Sequence, residues 1–70
     1  LMSSSIQNAV NQYPVPPERL SIEEKLEIIK TLHEQGTFLI KGSVAEVARV
    51  LNSSEPTIYR YIRELFGNTD

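Results

Sequence analysis

Seventy residues with 40% hydrophobic content allow one small domain with a modest core and no more. The lack of cysteine excludes disulfides and thiolate metal sites, and no apolar run is long enough to span a bilayer or to serve as a signal peptide. A formal net charge of −2 and a pI near 5.3 exclude a uniformly basic surface, so the distribution of charge matters more than its total.

The chain opens on Leu-Met-Ser-Ser-Ser, which reads as the middle of a longer protein. Ile6, Ala9, Val10 and Tyr13 then fall at helical spacing, enough for two turns. A helix that short is marginal alone, so it either docks on a partner or is disordered. Pro14, Pro16 and Pro17 forbid helix and favour a stiff, extended, polyproline-like spacer.

The next segment predicts a helix over 21–35. Ser21 and Glu24 have the spacing of a capping box, and the glutamates suit the positive end of the helix. Ile22, Leu26, Ile28, Ile29 and Leu32 share one broad arc; Glu23, Glu27, Lys30, Thr31 and Glu34 occupy the other, and Gly36 stops the helix. Its role is core-forming support. His33 falls in the apolar arc and is expected to be partly buried with its hydrogen bonds satisfied, since no second His or Cys exists to share a metal. Phe38-Leu39-Ile40-Lys41-Gly42 is expected to be an extended segment that plugs the end of the bundle, with Gly42 supplying a bend.

Two further helices follow, over 43–51 and 54–66. Val44, Val47, Ala48 and Leu51 form one apolar stripe, and Ser43 with Glu46 has capping-box spacing. Ala48 is the small residue needed where two helices approach closely. Asn52 and Ser53 make a tight turn, Asn being one of the few residues at ease in the left-handed conformation. Ser54 caps the last helix, and Pro56 is tolerated because it sits in the first turn. Ile58, Tyr61, Ile62 and Leu65 face inward, while Pro56, Tyr59, Arg60 and Arg63 cluster on the other side, with Ser54, Glu55 and Thr57 at the leading end.

Two short capped helices joined by a tight turn have the layout of a helix-turn-helix, whose second helix lies in the major groove of DNA. An outward Tyr, Arg, Arg face suits that role, because arginine pairs with guanine edges or phosphate and hydroxyls suit either. Glu55 could accept from cytosine N4, and Lys41 either reaches a phosphate or is plainly solvated. Charge is segregated in the matching sense. Residues 41–65 carry Lys41, Arg49, Arg60 and Arg63 against Glu46, Glu55 and Glu64, a net +1; residues 21–36 carry Lys25 and Lys30 against Glu23, Glu24, Glu27 and Glu34, a net −2.

Positions 20–65 resemble the C-terminal domain of YheO-like bacterial regulators. The likeness rests on Leu20-Ser21, Glu24-Lys25-Leu26, Gly36, Phe38 to Gly42, Val47-Ala48 and Pro56-Thr57-Ile58-Tyr59-Arg60-Tyr61. Asn52 and Ser53 depart from the Gly-hydrophobic pair commonest in such turns. The resemblance implies a PAS-type sensor domain upstream, with 1–19 as the connector between sensor and output.

The expectation is therefore an all-α, three-helix helix-turn-helix bundle with a short N-terminal helix and a Pro-rich linker. It divides into 1–19 as connector, 20–66 as DNA-binding domain and 67–70 as tail. The function read from it is sequence-specific binding of double-stranded DNA in a cytoplasmic transcriptional regulator, as a dimer or higher homo-oligomer, with no cofactor, metal, membrane contact or catalysis. The DNA-contacting residues are Ser54, Glu55, Pro56, Thr57, Tyr59, Arg60, Arg63 and Lys41. The alternative, favoured by the low net charge, is a three-helix module that binds another protein.

Overall fold

Amphipathic spacing becomes four α-helices in the computed structural model, which describes residues 2–67 and their side chains from residue 4 onward. They are α1 (Met2–Asn11), α2 (Ile22–Glu34), α3 (Ser43–Val50) and α4 (Glu55–Phe66), with no strand among the described residues. The all-α bundle is thus as the spacing predicts, and the helix limits agree within a residue or so. The tail beyond Gly67 lies outside the described residues.

One hydrophobic core joins all four helices. Ile28, Ile29 and Leu32 come from α2, Val47, Ala48 and Val50 from α3, and Ile58 and Tyr61 from α4, with Leu51 just after α3. α1 adds Ile6, Ala9 and Val10 and lies against both α2 and α3. The short N-terminal helix is therefore docked within this chain, and the burial of three of its side chains overcomes its marginal intrinsic stability. The proline-rich segment is extended only in part: Pro16 has polyproline-like angles (φ −67, ψ 156), but Pro17–Arg19 closes one 3-10 turn. Val15 and Leu20 anchor that segment to the core.

Local signals fare unevenly. At Ser21 the capping box forms, its hydroxyl accepting from the Glu24 N–H at 3.0 Å and the Glu24 carboxylate accepting from the Ser21 N–H at 2.8 Å. At Ser43 it does not. Gly42, with φ +84, takes the N-cap position, which pushes Ser43 into the helix and turns its side chain inward to 1% exposure. Glu46 binds Arg49 instead, a hydrogen-bonded pair that raises the Arg49 pKa above its ordinary value, through the hydrogen bond first and the charge second. Ile22, placed in the apolar arc of α2, is 61% exposed, because it lies at the first turn ahead of the core. Val50 is buried although the four-residue stripe omits it.

Two further expectations are corrected. Residues 38–42 are not extended: Thr37–Leu39 makes a 3-10 turn, closed by the Ile40 N–H donating to the Thr37 carbonyl at 3.0 Å. Phe38 does rest against the core, but Leu39 and Ile40 point outward. His33 is exposed rather than partly buried, and its ring stacks on Phe66 at 3.8 Å between centroids, with Phe38 at 6.4 Å.

Ala48 sits in the core at 5% exposure, in the helix that contacts both α1 and α4. Ala48→Leu would add three carbons where neighbours already fill the space. We expect a loss of about 1–3 kcal/mol in chemical denaturation. An unchanged midpoint would mean that the helices around Ala48 have room to spare.

Candidate nucleic-acid interface

Everything about this site depends on how α4 leaves α3. Asn52 adopts φ +56, the only non-glycine residue with positive φ among those described. The Ser53 N–H donates to the Ala48 carbonyl at 2.8 Å and the Asn52 N–H to the Arg49 carbonyl at 3.2 Å. Those two bonds are a Schellman closure of α3, with asparagine where glycine is commoner. Ser53 adds a tie to the supporting helix: its hydroxyl accepts from Lys25 Nζ and donates to the Leu51 carbonyl, both at 3.3 Å. The turn is thereby held from two sides, and α4 starts in a defined direction.

Ser54 begins α4 as its N-cap, accepting from the Thr57 N–H at 3.3 Å and sharing a hydroxyl–hydroxyl bond of 2.9 Å with Thr57. Pro56 occupies the first turn, where its missing N–H costs nothing. Ile58 and Tyr61 are buried and Ile62 and Leu65 half-buried, so the inward stripe is as the spacing predicts. Glu55, Pro56, Tyr59, Arg60 and Arg63 are exposed. Thr57 is half-buried and engaged with Ser54, which leaves its hydroxyl less free for a ligand than the wheel implies. The Arg60 guanidinium rests 5.6 Å from the centroid of the Tyr61 ring, a cation–π contact that restricts it before any ligand arrives.

Lys41 is also exposed, on the turn before α3. It shares a groove of about 360 Å³ with Glu55 and Tyr59, so three of the predicted residues converge there, whereas Arg60 and Arg63 lie outside it. Leu39 and Ile40 line the same groove and were not among the predicted site residues. The signal for them was present: three apolar residues in a row between two glycine-bounded helices, where only Phe38 finds the core.

Among the described residues no cluster of His, Asp or Glu could hold a metal ion, and no helix is long and apolar enough to cross a membrane. A family model described as an HTH domain matches residues 1–63. The transcriptional regulator DauR of Pseudomonas aeruginosa is 39% identical over 46 residues, covering 66% of this chain and 22% of that regulator. The chain thus spans less than a quarter of the length of that curated relative. No solved structure matches it. Taken with the capped helices and the left-handed turn at Asn52, the family match means that this chain belongs to the HTH domain family.

Proposed function

We propose that the domain reads duplex DNA in a sequence-specific manner, with α4 in the major groove. The observation that carries this reading is the outer face of α4. Tyr59, Arg60 and Arg63 stand exposed there, opposite the buried Ile58, on a helix whose start is held by the Asn52 turn. Arg60 lies nearer the leading end, where base edges are met, and its planar fork fits guanine O6 and N7. Arg63 is one turn further on and is assigned to phosphate, with Lys41, Ser54 and Thr57 as further backbone donors. Glu55 is assigned to a cytosine N4 and Pro56 to shaping the entry of the helix.

The likeness to a transcriptional regulator supports a regulatory output role in the cytoplasm. The resemblance to YheO-like proteins supports a sensor domain upstream, with residues 1–19 as connector. Binding without catalysis is the mode of action. A single copy has few cations to release counterions, so a homo-oligomer on paired half-sites supplies the missing affinity. A protein-binding role is the second reading. It is favoured by a groove in which Glu23, Glu24 and Glu27 surround Tyr13, Leu26 and Leu65.

Fluorescence anisotropy of the full-length protein, on a duplex selected from a random library and on its scrambled version, tests the assignment. Arg60→Ala should weaken the selected duplex by about 1–3 kcal/mol and relax sequence choice. Arg63→Ala should weaken both duplexes alike and reduce the salt slope by about one unit. If both variants fold and bind like wild type, α4 is not the reader. If wild type shows no salt-dependent binding to any duplex, the protein-binding reading replaces this one.

A further inference from the structure

A second open groove, of about 480 Å³, runs between the segment after α1, the first half of α2 and the last turn of α4. Its floor is Tyr13, Leu26 and Leu65, each packed on the core by one side and open to water on the other. Its walls are Glu23, Glu24 and Glu27, and no cation lines it. Two of those carboxylates have a use in the fold. Glu23 and Glu24 lie in the first turn of α2, at the positive end of the helix, and Glu24 closes the capping box with Ser21. Glu27 lies a turn further on, where that field has faded. It is exposed, with no ion-pair or hydrogen-bond partner among the described residues. Glu23, Leu26 and Glu27 fall at i, i+3 and i+4, so α2 turns a stripe of carboxylate, leucine and carboxylate toward the groove.

An apolar floor between negative walls repels the phosphates of DNA and calls for carbon flanked by cations. A simple cation would leave the floor unused. An open groove lets a chain segment lie across it, whereas a small molecule would stay largely in water. A second copy fits less well. Across a two-fold axis it would set acidic wall against acidic wall. Its cationic surface, Arg60 and Arg63, would fit only head to tail, which would cover the outer face of α4.

We propose that this groove docks a cationic amphipathic helix of a partner protein. The partner's leucine-type side chains rest on Tyr13, Leu26 and Leu65, and its lysines or arginines face Glu23 and Glu27. This rests on the protein-binding reading of the groove, to which it adds the partner's chemistry, and it leaves the outer face of α4 open to DNA.

The probe is a blocked synthetic helix of about four turns, with leucine at i, i+3, i+4 and i+7 and lysine on either side of that stripe. It is titrated, fluorescently labelled, with the full-length protein. Two counterparts carry glutamate for every lysine or serine for every leucine. Wild type should bind the lysine–leucine peptide and bind each counterpart at least about tenfold more weakly. Glu27→Gln should weaken binding about 3–5-fold. Glu34→Gln makes an equal charge change at an exposed position of α2 outside the groove, and should stay within about 1.5-fold of wild type. Glu23→Lys combined with Glu27→Lys should reverse the preference, so that the glutamate–leucine peptide binds better. Thermal melting checks that this double variant is folded, as two exposed side chains allow. Equal binding of all three peptides, or equal losses for Glu27→Gln and Glu34→Gln, would overturn the docking assignment alone. Self-association of wild type that Glu27→Lys abolishes would make a second copy the occupant and overturn it as well. No binding of any peptide would overturn it together with the protein-binding reading. Duplex affinity, measured in parallel and expected within about twofold of wild type for Glu27→Gln, tests α4 separately.

Discussion

Ile58→Ala should cost about 2–5 kcal/mol in urea denaturation, the sum of lost transfer energy and the cavity left behind. The residue is fully buried, on the inward stripe of α4. For a chain of 70 residues, total stability on the order of 4–10 kcal/mol is typical, so the substitution removes a large share of it. Function should fail in a diagnostic way. At low temperature, where the variant is still folded, its affinity per folded molecule should equal that of wild type, because Ile58 faces away from the reading surface. Affinity should then collapse on warming, in step with unfolding. A loss of less than about 1 kcal/mol would remove Ile58 from the centre of the core.

Ile6→Ala should be nearly as damaging, again about 2–5 kcal/mol. This is the sharper test, because a frayed connector would tolerate it. Ile6 is fully buried in α1, beside Ala9 and Val10 in the shared core. The unfolding transition should also stay single, since α1 contributes to the same cluster as Leu32 and Val47 rather than to one of its own. An unchanged midpoint would show that α1 lies outside the cooperative unit.

These residues also show how far the sequence could be read. Long periodic segments were legible because burial on one face leaves a repeat that nothing else in a short chain imitates; α2, α3 and α4 fall within a residue or so of their predicted limits. Asn52 was legible because few residue types accept positive φ. Errors came where two local solutions compete. Ser43 has the right neighbour at the right distance, but Gly42 captured the cap and left Glu46 to Arg49. In α2 the helical wheel could not show that the core begins only a turn beyond Ile22. For α1, spacing revealed a helix but not its dock, since that depends on which surfaces α2 and α3 leave open. The site divides in the same way. The outward face of α4 follows from periodicity alone. The groove beside it requires a tertiary approach between the turn at 38–42 and Tyr59, on which no spacing rule bears.

The stack of His33 on Phe66 has a practical consequence. The chain holds one histidine, and its imidazole lies 3.8 Å from the Phe66 ring, with planes 17° apart. Imidazole carbon-bound protons above a benzene face feel its ring current and resonate upfield of their solvent-exposed positions. A single pair of lines in a one-dimensional proton spectrum, well separated from aliphatic signals, therefore reports whether the last turn of α4 is seated on α2. If the end of α4 lifts when the protein engages a ligand, those lines should move toward free-histidine positions without any isotope label or engineered probe.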